Sequence, residues 1–390
     1  MDHRFAYKDA RLRLAISAFA ILLALTAFPA HGQQIHQLLY NNSYWADQNL
    51  DEVPLQSYAL AAFPTTPNDQ THVYFLVFQP DESFHVHQLF YDGASWADED
   101  LTVASGGPGA VNSPVTGFSV DNYQYVYYLS GNGVHQLLYN NSSWVDSNLT
   151  ALSKSGAYPG FGPLVAFTTS PALHVYYQDD QGQTIGDIHQ LYSTDGNSWK
   201  DQDLTALTGA LPSDRLHSGF NIGNLQYVYY LDSSGHINEL HYDNSTWSDL
   251  DISALSKIPP EGNSSLAALV IPGTKKMRLY YCSYPKNHLI QLASSNGTSW
   301  TSSDLTAKSK APTPDLSFSS IVAYETTSNN AIHVSYENGN HIHQIFQPTP
   351  TTWAHEDLTA LGDDFGKVVN DSPLTGFSLG NYQYVFYLAQ

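Results

Sequence analysis

Cysteine, methionine and positive charge are all scarce in this chain. Its 390 residues include one cysteine, Cys282, two methionines, and 15 lysines and arginines against 36 aspartates and glutamates, a formal net charge of −21. A single cysteine excludes any disulfide within the chain, so the fold must be held by its core alone. The acidic balance repels phosphate backbones and anionic bilayer surfaces, which excludes nucleic acid as an expected partner. Long apolar runs are missing too: Leu14 to Phe28 spans 15 residues, short of a membrane span, and no membrane insertion is expected. Arginine is almost absent after residue 32, where only Arg215 and Arg278 remain. An arginine cluster that grips a substrate carboxylate cannot be assembled from two.

The first 32 residues read as a signal peptide. Arg4, Lys8, Arg11 and Arg13 form a basic start, Leu14 to Phe28 the apolar core, and Ala30-His31-Gly32 the small-residue cleavage region. Cleavage near Gly32 and export to the periplasm or the exterior are expected. Residues 33–390 then form a single domain.

What is present is a repeat. All seven tryptophans, at 45, 96, 144, 199, 247, 300 and 353, close a phrase of the form Ile/Val-His-Gln-Leu…Ser-x-Trp, usually followed by Asp-Leu-Thr. Intervals of 48 to 55 residues lie in the range of solenoids, propellers and arrays. Each period holds four short runs of β-branched and aromatic residues parted by Gly, Asn, Asp, Ser and Pro. In one copy these are 114–120, 123–129, 134–139 and 143–149. Four antiparallel strands at this spacing make the blade of a β-propeller. The segment from Ile35 supplies only a third and fourth strand, and the segment ending at Gln390 only a first and second. The expected fold is therefore all-β, a seven-bladed propeller closed by N-terminal strands pairing with C-terminal ones.

Blades pack on both faces, so polar residues that recur inside strands need a reason. Two positions recur. One, at the start of the second strand, is His72, Tyr125, His174, Tyr227, Arg278, His333 and Tyr384; the other, in the third strand, is Gln37, Gln88, Gln136, Gln190, Glu239, Gln291 and Gln344. Side chains from the two positions can face one groove between blades. Donors and acceptors beside Tyr and Trp suit a sugar, whose hydroxyls take paired polar contacts and whose apolar face lies on a ring. The candidate saccharide ligands are His72 with Gln88, His174 with Gln190, Arg278 with Gln291, His333 with Gln344, and Tyr227 with Glu239.

The runs Leu173-His174-Val175-Tyr176-Tyr177…Ile188-His189-Gln190-Leu191…Trp199 and Met277-Arg278-Leu279-Tyr280-Tyr281…Gln291-Leu292…Trp300 resemble repeats of the fucose-binding β-propeller lectins of fungi and bacteria, the orange peel mushroom lectin type. The resemblance implies a secreted protein that binds glycans or glycoconjugates between its blades, with an Arg of the second strand and a Glu of the third holding hydroxyls. This chain departs from that pattern. Arg is kept only at Arg278 and Glu only at Glu239, in different repeats, which puts fucose itself in question. Tyr125, Tyr227 and Tyr384 follow Gly-Phe strands, and those blades are expected to fill their grooves with their own side chains.

Other readings are weighed beside this one. The tryptophans are expected mainly to pack blade on blade, and the histidine of His-Gln-Leu to be buried against a neighbouring carbonyl. His85-Val86-His87 and His341-Ile342-His343 place two imidazoles on one strand face, but no third ligand recurs with them, so neither a metal nor another cofactor is expected. The turns before Trp199 and Trp300 resemble the Asp-box of sialidases without its spacing. First strands carry no repeated acid, so a propeller glycosidase or lyase lacks its carboxylate pair and no enzyme is expected. A scaffold that binds proteins through loops such as 101–112 and 308–316 is the alternative. The sequence leaves a homo-oligomer open.

Overall fold

The computed structural model describes residues 33–50, 59–65, 69–91, 94–131, 133–179, 185–256, 265–315, 320–327, 329–362 and 366–390. The signal-peptide reading, the end of the 308–316 loop and parts of several other connections lie outside the described residues.

Seven four-stranded antiparallel sheets are present. Blade 1 comprises Leu60–Thr65, Gln70–Phe78, Phe84–Tyr91 and Trp96–Asp100; blades 2 to 6 follow in order and end at Asn148, Asp203, Asp251, Asp304 and Asp357. Blade 7 takes Thr375–Leu379 and Tyr382–Ala389 from the C-terminus and Gln34–Tyr40 and Trp45–Asn49 from the N-terminus, in the order 2-1-28-27 when strands are counted along the chain. Its seam runs Gln34↔Ala389 through Leu38↔Val385 to Tyr40↔Gln383. Leu38 and Val385 are both fully buried there, so closure is a hydrophobic joint as well as a ladder of hydrogen bonds.

The Asp-Leu-Thr phrase leaves the fourth strand directly after its acid. It folds into a one-turn helix, as at Leu101–Ser105, Leu149–Ser153 and Leu204–Thr208, where strand or loop was expected. The acid is an N-cap: Asp203 accepts from the amide of Ala206 at 2.8 Å, and Asn148 serves Ala151 in the same way. The leucine is buried in the core. The hydroxyl accepts an amide at the start of the third strand, as in Ile188 N–H to Thr205 Oγ1 at 2.8 Å and Val134 N–H to Thr150 Oγ1 at 3.0 Å. Three residues thus cap a turn, fill a core site and satisfy a buried donor.

Crowding explains the Gly-Phe copies: a Cβ on Gly117, Gly219 or Gly376 would first meet the carbonyl oxygen of Tyr125, Tyr227 or Tyr384 on the second strand of its own blade, and then, at Gly117 and Gly219, the preceding blade. A Cβ on Gly117 would come within 2.8 Å of Phe63 in the preceding blade, and one on Gly219 within 2.9 Å of Val165. Bulky Ala-rich or Val-rich first strands therefore alternate with glycine strands, and this pairs blades 1 with 2, 3 with 4, and 6 with 7.

Candidate functional site: polar grooves between blades

The repeated histidine and its neighbouring glutamine point to opposite faces of the third strand, since side chains alternate. His36, His87, His135 and His189 are buried and reach aspartates of the fourth strand, not the carbonyls expected: Nδ1 lies 3.0 Å from Asp47, 3.0 Å from Asp98, 3.1 Å from Asp146 and 3.1 Å from Asp201. Second-strand tyrosines donate to three of those carboxylates, Tyr128 to Asp146 at 2.8 Å, Tyr177 to Asp201 at 3.0 Å and Tyr387 to Asp47 at 3.0 Å. Asp47, Asp146 and Asp201 are thus paired on both sides and act as frame, while Asp98 meets His87 alone, opposite Phe75 of the second strand.

The other face carries the grooves. In blade 3 the register pairs His174 with Tyr192 and Tyr176 with Gln190, which sets His174, Tyr176 and Gln190 side by side. Gln190 Nε2 lies 2.9 Å from His174 Nδ1, 2.8 Å from Tyr176 Oη and 2.8 Å from Oε1 of Gln226, a residue of blade 4. Tyr176 also donates to Gln226. Thr169 Oγ1 sits 2.8 Å from His174 Nε2. Above this floor opens a groove of about 720 Å³ whose walls include Tyr192 and Gln202 of blade 3 and Asn224, Tyr242 and Trp247 of blade 4. Tyr242 and Trp247 lie 5.4 Å apart, centroid to centroid, and present aromatic surface.

The groove between blades 6 and 7 is similar, with Tyr324 of the first strand standing in for the second-strand tyrosine, whose place Ser335 takes. His333 Nδ1 is 2.9 Å from Gln344 Oε1, and Gln344 Nε2 donates to Tyr324 at 3.0 Å and to Gln383 of blade 7 at 3.3 Å. Tyr40, Asn42, Trp45, Phe346 and Glu356 complete a cavity of about 360 Å³. Trp45 Nε1 donates to Glu356 at 3.3 Å. Between blades 1 and 2 the same parts recur: Tyr74 donates to Gln124, Thr65 Oγ1 lies 3.3 Å from His72 Nε2, and Trp144 donates to Glu99 at 3.3 Å. Gln88 pairs across the ladder with Tyr74, as Gln190 does with Tyr176.

Burial pulls His72, His174 and His333 down to about 4, so each is a neutral imidazole at physiological pH. The histidines therefore offer neutral donors and acceptors, beside a carboxylate held by a tryptophan in two of the grooves, Glu356 and Glu99. The same burial raises Glu356, against the opposing hydrogen bond from Trp45.

The remaining expected pairs are built differently. Tyr227 stacks on His241 with centroids 4.6 Å apart, and Met277 of blade 5 takes the place that Gln226 holds in the groove before it. Glu239 is buried against Tyr229 in that apolar setting, and desolvation raises its carboxyl to about 8. Arg278 and Gln291 share a face but reach different partners: Arg278 Nη1 donates to the Met277 carbonyl at 2.9 Å, and Gln291 Nε2 to Tyr280 at 3.1 Å. Ile332 of blade 6 occupies the glutamine position opposite them.

One expectation fails. Tyr384 does not fill its groove: between blades 7 and 1 it lines a cavity of about 720 Å³ together with Gln37, Gln70, Thr71 and Trp96. The opposing residue there is the small Thr71, so volume is left over.

One group of wall residues was not legible beforehand. Gln124, Gln226 and Gln383 complete each His groove from the next blade, and their signal was the Gln-Tyr-Val triplet found only in the Gly-Phe copies. The tryptophans are both frame and wall. Trp247 meets Tyr176 edge-on at 6.2 Å, as a packing residue would, while lining the cavity.

This is a propeller of paired blades in which one polar, aromatic set of side chains recurs in three seams and lines a cavity in two of them. Residues 172–362 match the model of the fungal fucose-specific lectin family. Among solved structures the chain is similar to AofleA from Arthrobotrys oligospora, with 13% identity, TM-score 0.51, and coverage of 90% of this chain and 92% of that one. An Aleuria aurantia lectin variant in complex with Fucα1-6GlcNAc matches with 19% identity, TM-score 0.50, and coverage of 77% and 95%. No curated protein matches the chain.

Proposed function

We propose that the protein is an exported lectin whose working sites are the grooves at His174, His333 and His72. The observation that carries this reading is the recurrence of one constellation in three seams: a neutral histidine, a third-strand glutamine, a second glutamine from the next blade, and a tryptophan wall. Neutral hydroxyls suit it, because every floor group can donate or accept without a charge to neutralise. Fucose enters through the family matched by residues 172–362. The lost Arg and Glu pair means that contacts here are neutral and individually weaker than charge-assisted ones. Repeated weak sites on one ring favour multivalent, surface-displayed glycans.

Catalysis has little support. The walls of the groove between blades 3 and 4 contain no carboxylate, so the paired acids of a glycosidase are missing there. A glycan array with the protein lacking residues 1–32 tests the reading: hits sharing one terminal sugar are expected, weakened by Gln190→Ala. A blank array with folded protein would overturn it in favour of a protein-binding scaffold.

A further inference from the structure

We propose that the rim of blade 1 opposite the sugar-type groove holds a divalent transition-metal site formed by His85, His87 and Asp100. His85 and His87 flank Val86 on the third strand and face the same way. The ligand the sequence did not offer comes from the end of the fourth strand, whose register pairs His87 with Asp100. The ligand atoms of the three residues lie within 4.8 Å of one another. Asp100 Oδ2 is the shared point, 2.7 Å from His85 Nδ1 and 3.6 Å from His87 Nε2.

Those separations bracket what a tetrahedral ion requires. Bonds of about 2.0–2.1 Å to nitrogen and oxygen place neighbouring ligand atoms roughly 3.3 Å apart. His87 supplies the more specific sign. Its Nδ1 is held 3.0 Å from Asp98, leaving Nε2 buried without a hydrogen-bond partner and turned toward Asp100. A carboxylate behind one ring nitrogen and a free second nitrogen is the orienting arrangement found behind metal-bound histidines. His85 and Asp100 remain part-exposed, which leaves access for the ion and room for water as further ligands.

Blade 6 is an internal control. His341 lies 2.9 Å from Asp357, as His85 does from Asp100, but His343 Nδ1 faces His355 Nε2 at 3.0 Å where His87 faces a carboxylate. The orienting acid is missing, and blade 6 is not expected to bind with comparable strength. The site is also remote from the groove of its own blade. His72 pairs with Phe90 and His85 with Val77, at opposite ends of one hairpin.

The test is calorimetric titration of untagged protein with ZnCl₂ and NiCl₂. One ion per chain is expected. Asp100→Asn keeps the helix cap, since asparagine caps well, and is expected to weaken binding at least tenfold; His85→Ala should do the same. Asp98→Asn should cost about tenfold through orientation. His341→Ala should leave binding unchanged. The proposal is overturned if the unaltered protein takes up neither ion at millimolar concentration, if binding survives His85→Ala and Asp100→Asn in folded protein, or if His341→Ala abolishes it.

Discussion

Gln190 of blade 3 donates to Gln226 of blade 4 across 2.8 Å, and with the bond from Tyr176 to the same oxygen it joins the two walls of a groove. Both glutamines are almost fully buried, so the pair serves packing and recognition at once. Gln226→Leu should therefore remove a floor acceptor and strand the Tyr176 hydroxyl, costing about 1–3 kcal/mol in denaturant unfolding. Trp247→Ala should reduce glycan binding more than Trp199→Ala, measured by array intensity on equally folded protein. Equal losses would mean that the cavity near Trp247 is not where the sugar sits.

Arg278 is the sole second-strand arginine, and its observed side-chain donor bond goes to a main-chain carbonyl next door. Arg278→Ala is expected to lower the melting temperature by no more than a few degrees while reducing any binding contributed by its seam. If the variant unfolds, the position is structural.

Acid should destabilise the ring through its histidines. His72, His174 and His333 have folded pKa values near 4 against an ordinary 6.5, so the unfolded chain binds more protons between those limits. Their contribution is complete above pH 6.5 and is lost as pH falls toward 4, on the order of 1–3 kcal/mol each. Glu239, raised to about 8, acts the other way: its contribution is present below its unfolded value and lost as pH rises through 8. Urea midpoints from pH 4 to 9 should fall at both ends. Replacing the three histidines by glutamine should reduce the acid limb, leaving the share of His217 and His343, and Glu239→Gln should reduce the alkaline one, leaving that of Glu337.

The Asp-Leu-Thr turn separates two costs. Asp203→Asn keeps a good cap and should change stability by less than about 0.5 kcal/mol. Thr205→Val leaves the Ile188 amide buried without its acceptor and should cost about 1–3 kcal/mol. Paired urea melts of the two variants check the order.

Ring closure can be tested at the seam. Leu38 and Val385 are opposite one another and fully buried. Leu38→Asp buries a charge there and should abolish cooperative unfolding of the whole ring, read by tryptophan fluorescence and far-ultraviolet dichroism. A variant that still melts as one cooperative unit would show that the seam is dispensable.

Much of this was legible in the chain because repetition averages out local ambiguity. Seven copies of Trp and His-Gln-Leu mark strands that no single copy would define, and the half-blades at the two ends make the count. The histidine of His-Gln-Leu was legible as buried, but its carboxylate partners were not. Asp47, Asp98, Asp146 and Asp201 lie 11 or 12 residues further on, and only the antiparallel register brings them opposite.

By itself the sequence determined the blade count, the strand order and the closure by both ends, since each follows from side-chain periodicity and spacing along one chain. Tertiary structure alone decided which grooves share a chemistry. A groove takes its walls from two blades, and seven is odd, so the alternation of bulky and glycine first strands must fail once around the ring. It fails at blade 5, where Met277 and Ile332 stand in the glutamine position on either side. The same reason hid the metal ligand Asp100 from His85 and His87: contact across a sheet depends on register, and register is settled only when the faces are packed.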